Sequence, residues 1–503
     1  MKDLNFLKKV GRGATILFLG IIISKLLTYA FRAFVAKSFG ASDYGLLILA
    51  VAIVSFVALT AVLGLPQGLL RYVAYYLGKG DEKIIAPMIG SVLKVVFPIS
   101  LFLGVVLFVF AGEISTVFFH KPELVLFLRF AAFLAPLLVL YNVFDYVLQA
   151  FQDAKSLVIS RNLADPLAKI VLLVLVIWFG FGAWGAAFAF VGGVASAVIV
   201  MLLFIRKKVK NFSFIFLKPA RLDKELVSYS WPLLFNNFSL MIFSWADVII
   251  LGVFVSSASV GVYDAASVTS RLLSIVPLAL STMFMPAITE VFAKNESHVA
   301  KLYRHVSKWV LLLLLPMLGF LAIFSRTMLG SFFGFEFGAG AVSLVVLLFG
   351  QLFWGWSLVS SNILAMVKKT KLIFLLSASA ALVNIVLNIV LIPRIGILGA
   401  AIATSFSLVF VAVLQMFWAS KELRTMPFGL DIIKLVVSIA MPTGVLVLVF
   451  RSFIVDISLV YAIGIGVLYS LVYLALLFIT RSFDSEDIEL FKAALKKYSP
   501  IKE

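Results

Sequence analysis

Apolar residues along this chain come in runs of roughly 20, separated by short stretches that hold most of the charged residues. A helix of about 20 residues crosses the hydrocarbon core of a bilayer, which is roughly 30 Å thick. The pattern therefore predicts an all-α integral membrane protein with about fourteen transmembrane helices. We place them near residues 14–36, 45–65, 87–110, 124–149, 157–179, 182–205, 231–254, 265–289, 308–324, 341–365, 372–392, 396–418, 432–450 and 457–480.

The composition supports this class. Of the 503 residues, 63% are hydrophobic and 13% are charged, more apolar surface than a soluble protein of this length could bury. The chain has no Cys, which excludes disulfides and thiol chemistry, and its three His all fall between predicted spans. The N-terminus is basic and then apolar without a small-residue cleavage site, so we expect a retained first span and not a signal peptide.

Lys and Arg residues predict the orientation. With the N-terminus inside, thirty of them fall in cytoplasmic segments and only five in outer loops. Basic residues favour the cytoplasmic side, so we expect a multi-pass protein of the cell membrane with both termini cytoplasmic. The net charge of +18 then reflects topology and attraction to anionic lipids, and we expect no nucleic-acid partner.

An internal repeat predicts two lobes. Gly182-Ala-Trp-Gly-Ala-Ala-Phe-Ala189 and Gly396-Ile-Leu-Gly-Ala-Ala-Ile-Ala403 each open a predicted span, at an offset of 214 residues. Two six-helix lobes of the same orientation would be related by a pseudo-two-fold axis along the membrane normal, although close helix packing also favours small residues. The predicted parts are an N-lobe (1–205), a cytoplasmic interfacial linker (206–230), a C-lobe (231–419), helices 13–14 (432–480) and a cytoplasmic amphipathic tail (481–503).

Seven basic residues fall inside predicted spans, where a charge is costly and usually faces a protein interior or a water-filled cavity. Lys25 and Arg32 are seven residues apart, so both point from one face of the first span. We interpret this face as the wall of an intramembrane cavity for an anion, because Arg and Lys are the usual partners of phosphate oxygens. The seven are Lys25, Arg32, Lys94, Arg129, Arg161, Lys169 and Arg271, and their acidic companions are Asp145, Asp165 and Asp247.

Some of these cations have simpler explanations. Arg161, Asp165 and Lys169 are spaced i, i+4, i+8 and would form an intrahelical ladder of ion pairs. Arg129 lies near the outer end of its span and Lys94 near the inner end of its own, so both could snorkel to the interface. The predicted set that binds an anionic head group is Lys25, Arg32, Arg129, Lys169 and Arg271.

A second polar group predicts coupling to an ion. Asn384 precedes the turn near Arg394 by as many residues as Thr404 follows it, so the two should lie side by side near mid-membrane. Asn388 lies on the same face as Asn384, and Asp247 should lie at a comparable depth. These carboxylate, amide and hydroxyl oxygens suit a hard cation, so we predict Na⁺ or H⁺ coupling and no other cofactor. Interhelical hydrogen bonding by buried Asn and Thr is the alternative.

Two stretches carry a family resemblance: Arg32-Ala-Phe-Val-Ala-Lys-Ser-Phe-Gly-Ala-Ser-Asp-Tyr-Gly-Leu46 and Gly64-Leu-Pro-Gln-Gly-Leu-Leu-Arg-Tyr-Val-Ala74. With the fourteen-span hydropathy pattern, they resemble prokaryotic polysaccharide-biosynthesis flippases of the multidrug/oligosaccharidyl-lipid/polysaccharide exporter superfamily, which are similar to the peptidoglycan-precursor flippases.

The resemblance implies a V-shaped transporter that moves a polyprenyl-(di)phosphate-linked oligosaccharide from the cytoplasmic to the outer leaflet by alternating access. It implies cavity-lining basic residues on helices 1 and 8, where this chain has Lys25, Arg32 and Arg271. It also implies a sodium site on helices 7, 11 and 12, and a groove for the lipid tail on helices 13–14. We expect a monomer surrounded by membrane lipids, with glycan polymerases or glycosyltransferases as protein partners.

Two other functions are weighed against the flippase. A multidrug exporter of organic cations would centre its cavity on carboxylates, yet the basic residues within spans outnumber the acidic ones seven to three. A membrane glycosyltransferase would need acidic catalytic residues on a sizeable outer loop, and the predicted outer loops are short. The sequence therefore favours a transporter and not an enzyme.

Overall fold

The computed structural model of the chain is built from long α-helices. It describes residues 2–209, 224–278, 296–429 and 457–480, together with residues 212, 280, 281, 288 and 482 and parts of 434–446. Most of the predicted linker (206–230), the tail (481–503) and parts of predicted spans 8 and 13 lie outside the described residues.

The helices have the following bounds. Those of more than eight residues are α1 (Lys2–Val62), α2 (Leu65–Lys79), α3 (Glu82–Val109), α4 (Leu124–Ala132), α5 (Leu134–Ala150), α6 (Asp165–Trp178), α7 (Gly185–Lys208), α8 (Lys224–Phe254), α9 (Ser257–Ser270), α10 (Glu296–Ile323), α11 (Ser325–Phe333), α12 (Ala341–Met366), α13 (Thr370–Leu423) and α14 (Leu459–Ile479). Shorter segments are the helical turns Ala111–Glu113 and Ala154–Leu157, the π-helices Ile114–Phe118 and Val158–Ala164, and the 3₁₀ turns Arg271–Ser274 and Phe335–Gly340.

Helix α1 is two antiparallel arms joined by one residue. Gly40 leaves the helical conformation at φ 82° and ψ 174°, a region open mainly to glycine. Tyr29 and Tyr44 both place their rings against Phe333, at 5.3 and 6.2 Å between centroids. Fifteen residues of straight helix would separate the two tyrosines by about 22 Å, so the chain reverses at Gly40. The arms match predicted spans 14–36 and 45–65.

Helix α13 reverses in the same way. Ile395 and Gly396 are its non-helical residues. A Cβ on Gly399 would lie 2.6 Å from the carbonyl carbon of Leu391, a distance that a straight helix could not give. The two arms correspond to the predicted spans 372–392 and 396–418.

The number of crossings stays a prediction. Eight of the described helices are long and apolar enough to cross a membrane, or nine if α4 and α5, bent by 41°, form one span. Two of the eight, α1 and α13, each contain two predicted spans. The protein is thus an all-helical, multi-pass membrane protein, whereas the count of fourteen and the two-lobe symmetry are not established by these helices.

Two predicted connections are helical. Residues 66–86 include most of α2, whose buried face presents Leu65, Leu69 and Val73. The predicted outer loop at 325–340 is α11 followed by a 3₁₀ turn, and Phe333 and Phe337 in it are fully buried. Both segments are too short or too polar to stand out as spans by hydropathy, which is why the sequence pattern presented them as loops.

The contacts divide the chain into two compact units. Unit 1 comprises Met1–Val268, Phe332–Phe337 and Ala381–Thr404, and unit 2 comprises Thr269–Ser331, Gly338–Ala380 and Ser405–Glu503. In unit 1, α6 packs along α7, and α5 packs against α2, α3 and α7. In unit 2, Tyr469 and Tyr473 of α14 are buried against Leu312 and Leu315 of α10. The predicted lobes 1–205 and 231–419 remain a prediction, since packing units do not report sequence repeats.

Large apolar side chains cover much of the outer surface. Trp178 and Phe179 at the end of α6 are 77% and 67% exposed, and Val460 and Ile479 at the two ends of α14 are 77% and 75% exposed. Apolar surface of this extent is stable only when it is covered, and lipid chains cover it in a membrane-spanning protein.

Candidate functional site

Arg32 lies in a buried ion pair. Its Nη1 donates to both carboxylate oxygens of Asp264 on α9, at 2.8 and 2.7 Å, and the hydroxyl of Tyr44 donates to the same carboxylate. The side chain of Arg32 is 12% exposed and that of Asp264 is 1% exposed. The predicted head-group cation therefore has a carboxylate partner that sequence analysis missed.

The backbones of α1 and α9 touch beside this ion pair. A Cβ on Gly45 would lie 1.9 Å from the carbonyl oxygen of Ser257, and one on Gly261 would lie 2.2 Å from that of Ala41. The backbone N–H of Ala41 donates to Glu336 Oε1 at 2.6 Å. We call this contact, formed by Arg32, Tyr44, Asp264 and the two glycines, the glycine–arginine contact. It closes the space between the Gly40 turn and α9.

Lys169 is also paired within unit 1. Its Nζ lies 2.9 Å from Asp165 Oδ2 and 3.8 Å from the ring centroid of Phe190, and its side chain is buried. The Asp165–Lys169 half of the predicted ladder is thus confirmed.

Arg161 departs from that ladder. Its Nη1 lies 3.4 Å from Asp145 Oδ2 on α5, and its Nε donates to Asn162. The cause is the π-helix Val158–Ala164, which contains Arg161. A π-helix has more residues per turn than an α-helix, so a spacing of four no longer places two side chains on one face.

The other predicted cations lie in different surroundings. Lys25 and Lys94 are half-buried on α1 and α3. Arg129 on α4 is exposed, with its guanidinium 5.6 Å from the ring centroid of Phe108, itself 41% exposed. This placement is typical of a side chain that snorkels along apolar surface. Arg271 is half-buried and begins a 3₁₀ turn in unit 2.

The structure brings the predicted coupling residues together. Asn384 Nδ2 donates to Thr404 Oγ1 at 3.3 Å, so the two side chains are adjacent as the depth argument predicts. Asn388 Nδ2 donates to Asn384 Oδ1 at 3.0 Å. The hydroxyl of Tyr263 lies 3.5 Å from Thr404 Oγ1 and donates to Asp247 Oδ2. We call these five residues the mid-span polar chain.

The side chains of the mid-span polar chain are buried. Asp247, Asn384 and Thr404 are 3%, 1% and 7% exposed, and Tyr263 and Asn388 are fully buried. Asn388 Oδ1 is a buried acceptor without a hydrogen-bond partner among the described residues. A buried polar atom without a partner costs about 1–3 kcal/mol, so this oxygen is a candidate ligand for a cation. Tyr263 was missed because a single tyrosine in an apolar stretch carries no periodic signal.

A cavity of about 330 Å³ opens among the second arm of α1, α2, α5 and α8. We call it the amide cavity, because Gln67, Asn142 and Asn237 line it. Gln67 Nε2 donates to Asn237 Oδ1 at 2.8 Å, and Asn237 Nδ2 donates back to Gln67 Oε1 at 3.1 Å. Gln67 Nε2 also lies 3.3 Å from the hydroxyl of Tyr146. Sequence analysis did not select any of these residues, since uncharged amides are common on helix faces.

Comparisons with known proteins point to one family. Residues 10–295 match the family described as "Polysaccharide biosynthesis protein". Over 422 residues, 82% of this chain and 84% of the relative, the chain is 23% identical to the "Probable low-salt glycan biosynthesis flippase Agl15" of Haloferax volcanii.

Two solved structures share the fold. One is the inward closed conformation of the lipid II flippase MurJ (TM-score 0.73, 17% identity, 93% of this chain and 99% of that chain). The other is an inward-facing multidrug resistance MATE family transporter of the MOP superfamily (TM-score 0.66, 16% identity, 81% of this chain and 98% of that chain). The family match covers more than half of the chain and includes the Gly40 turn, the glycine–arginine contact and every lining residue of the amide cavity. The chain therefore belongs to the polysaccharide biosynthesis protein family.

Proposed function

We propose that this chain is a flippase that moves a polyprenyl-(di)phosphate-linked oligosaccharide from the cytoplasmic to the outer leaflet by alternating access. The observation that carries the proposal is the family match over residues 10–295, joined to a relative along most of the chain that is named as a glycan biosynthesis flippase. The shared fold with a lipid flippase supports it. Such a protein is a transporter and not an enzyme.

The charges of unit 1 fit an anionic substrate better than a cationic one. Of the four aspartates described above at the candidate site, three have a cationic partner: Asp264 pairs with Arg32, Asp145 with Arg161, and Asp165 with Lys169. The fourth, Asp247, accepts a hydrogen bond from Tyr263. A site for organic cations would need a carboxylate available to the substrate. On α1, Lys25 instead suits a phosphate group, and Arg32 on the same face suits one in a state of the cycle in which its pair with Asp264 is open.

The orientation belongs to the same proposal. Basic residues concentrate in the segments that we assign to the cytoplasm, so both termini are cytoplasmic and the protein lies in the cell membrane. The substrate enters from the leaflet in which lipid-linked sugars are assembled. Glycosyltransferases that make the substrate, or a polymerase that consumes it, would then be neighbours of a monomeric transporter.

A flipping assay in proteoliposomes tests the function. Purified protein is reconstituted with lipid-linked glycan extracted from the source cells, and its arrival in the opposite leaflet is followed with a membrane-impermeant glycan-modifying enzyme. We expect Lys25→Ala and Arg271→Ala to abolish flipping. Lys94→Ala is the matched control, because Lys94 is another half-buried intramembrane lysine and we assign it no substrate contact. Wild-type rates in both test variants would exclude the anion-binding cavity.

We also propose that the mid-span polar chain binds the coupling ion. Asp247, Thr404 and the two asparagines offer carboxylate, hydroxyl and amide oxygens, the ligand type that hard cations take. The unsatisfied Asn388 Oδ1 supports this fit, because an oxygen buried without a donor gains by contact with a cation. Na⁺ is the first candidate, and protonation of Asp247 is the second.

Gradient dependence tests the coupling. Flipping is measured with an imposed Na⁺ gradient, with an imposed pH gradient and with neither. We expect one of the gradients to accelerate flipping in the wild type and to have no effect in Asn388→Leu. If neither gradient changes the wild-type rate, the mid-span polar chain is a set of interhelical hydrogen bonds and no ion site.

A further inference from the structure

The amide cavity has polar groups but no charged ones. Its lining contains three amides (Gln67, Asn142, Asn237), and hydroxyls from Ser55, Tyr146 and Ser244. Among the residues that the structure describes, no Lys, Arg, Asp, Glu or His lines it. Its volume of about 330 Å³ is at the lower end of the range for small-molecule pockets, roughly 300–1,000 Å³.

The amides in the cavity retain hydrogen-bonding capacity. A side-chain amide has two N–H donors and a carbonyl oxygen with two lone pairs. The reciprocal bond between Gln67 and Asn237 uses one donor and one lone pair of Asn237. Asn142 uses one donor on the carbonyl oxygen of Leu138, at 2.7 Å. Among the described residues, Asn142 and Asn237 each therefore have one N–H and at least one lone pair left. Each side chain can donate to a ligand and accept from it.

The rest of the lining is apolar. Seven apolar side chains and the indole of Trp245 complete the wall, and Tyr146 adds a second aromatic ring. Aromatic faces bind the C–H face of a sugar ring, which is apolar, while the hydroxyls at the ring edge need donors and acceptors together. A cavity lined by amides, hydroxyls and two aromatic rings matches both parts of a sugar.

Other parts of a lipid-linked glycan fit this cavity poorly. A phosphate would find no cation among the lining residues to balance its charge. A polyprenyl chain would leave the remaining N–H and lone pair of each asparagine unsatisfied, at a cost for each. An organic cation would find no carboxylate. The chemistry that is left is a neutral group rich in hydroxyls.

We infer that the amide cavity is the subsite that holds the sugar portion of the flipped lipid, apart from the cations that hold its phosphate. This inference rests on the proposed flippase function. The substrate's hydroxyls replace the hydrogen bonds between Gln67 and Asn237. Because each amide exchanges one neutral partner for another, loading the sugar requires no buried charge to be uncovered.

Binding to two preparations of one lipid tests the inference. The first is the lipid-linked glycan fraction from the source cells, and the second is the same fraction after mild-acid release of its sugars, which leaves polyprenyl phosphates. Both are titrated onto the full-length protein in nanodiscs. For the variant Gln67→Leu/Asn237→Leu, we expect affinity for the glycosylated lipid to fall about tenfold or more, with affinity for the bare phosphate lipid unchanged.

Two controls separate a sugar subsite from a packing effect. Asn362→Leu removes an amide that donates to Ser281 at 2.6 Å in unit 2, outside the cavity, and should change neither affinity. Lys25→Ala should weaken both lipids alike. Thermal unfolding confirms that each variant is folded.

The outcomes distinguish the inference from the function on which it rests. If the wild type prefers the glycosylated lipid and the double variant keeps that preference, the amide cavity is not the sugar subsite, although the flippase proposal stands. Equal losses for both lipids in the double variant would also overturn the inference. If the wild type retains neither lipid, the flippase proposal fails and the sugar subsite fails with it.

Discussion

The glycine–arginine contact and the amide cavity join neighbouring segments of unit 1 through different polar groups. At the first, α1 and α9 touch backbone to backbone, and Arg32 and Asp264 form an ion pair shielded from water. At the second, α2 and α8 pack closely at Gly64 and Ser230, and beside that contact the neutral amides of Gln67 and Asn237 bond each other in the wall of the cavity. Separating the first pair of amino acids uncovers two buried charges, whereas separating the two amides uncovers neutral groups. The proposed alternating access would use both kinds of contact: one that stays closed until the substrate is bound, and one that exchanges its partners readily.

Of the changes that test the difference between the two contacts, Gly45→Ala should have the largest effect on flipping. The new methyl group would meet the Ser257 carbonyl oxygen at 1.9 Å, and backbone cannot yield as a flexible side chain can. The glycine–arginine contact then cannot close, and we expect flipping to fall below detection in the proteoliposome assay. Gly78→Ala is the control, because a Cβ there has nothing within 4 Å. A Gly45→Ala variant with the wild-type rate would show that closure of this contact is not part of the cycle.

Removing one charge of the ion pair should come next. Asp264→Asn leaves Arg32 buried without its counter-charge, a change that costs about 3–5 kcal/mol in buried pairs. We expect the thermal midpoint of the detergent-purified protein to drop clearly. Arg32→Met/Asp264→Leu with Tyr44→Phe should recover most of the loss, since it removes both charges and the hydroxyl that donates to Asp264. If the triple variant is as unstable as Asp264→Asn, uncompensated charge is not the cause.

The pair of amides in the amide cavity should tolerate the loss of its polar groups. Replacing both amides in Gln67→Leu/Asn237→Leu leaves neither partner unsatisfied, and we expect a change in unfolding free energy within about 1 kcal/mol. The same thermal measurement checks it. A loss as large as that of Asp264→Asn would mean that the two contacts do not differ in the way their charges indicate.

The smallest effect concerns a pair outside the spans. Burial alone would raise the pKa of Asp153, but hydrogen bonds from Lys208 and Ser156 lower it to about 2. The carboxylate therefore adds stability above its unfolded pKa, near 3.9, and this contribution disappears as pH falls through the folded pKa. We expect the difference in thermal midpoint between wild type and Asp153→Asn to be constant above pH 5 and to shrink below pH 4. A difference independent of pH would exclude the charged pair as its source.

Features governed by local pattern were predictable from the sequence. Hydropathy located both arms of α1 and of α13, because a run of apolar residues between two polar stretches has few alternatives at bilayer length. Counting residues from the turn near Arg394 placed Asn384 beside Thr404, and the 3.3 Å hydrogen bond confirms it. Helical rise alone decides that adjacency.

Features governed by long-range partners were not predictable. Asp264 lies 232 residues from Arg32, so no spacing rule could join them. Asp264 also precedes the predicted start of span 8, and for that reason it was not counted among the intramembrane acids. Arg161 pairs with Asp145 and not with the predicted Asp165 because it lies in a π-helix, and a single sequence gives no signal for a π-helix. The amide cavity depends on side chains from four segments, each unremarkable when taken alone.

The one-residue turn at Gly40 fixes the distance between two proposed subsites on α1. The first arm carries Lys25 and Arg32, the proposed phosphate ligands, and the second arm carries Ser55 in the wall of the amide cavity. Lys25 and Ser55 are each fifteen residues from Gly40 and so lie at the same level on the two antiparallel arms, which means that the distance between the phosphate and sugar subsites is set by the separation of the arms. A fixed distance between the two subsites would select lipids by how far their sugars lie from the phosphate. The protein would then select for the size of the first sugars and not for their identity.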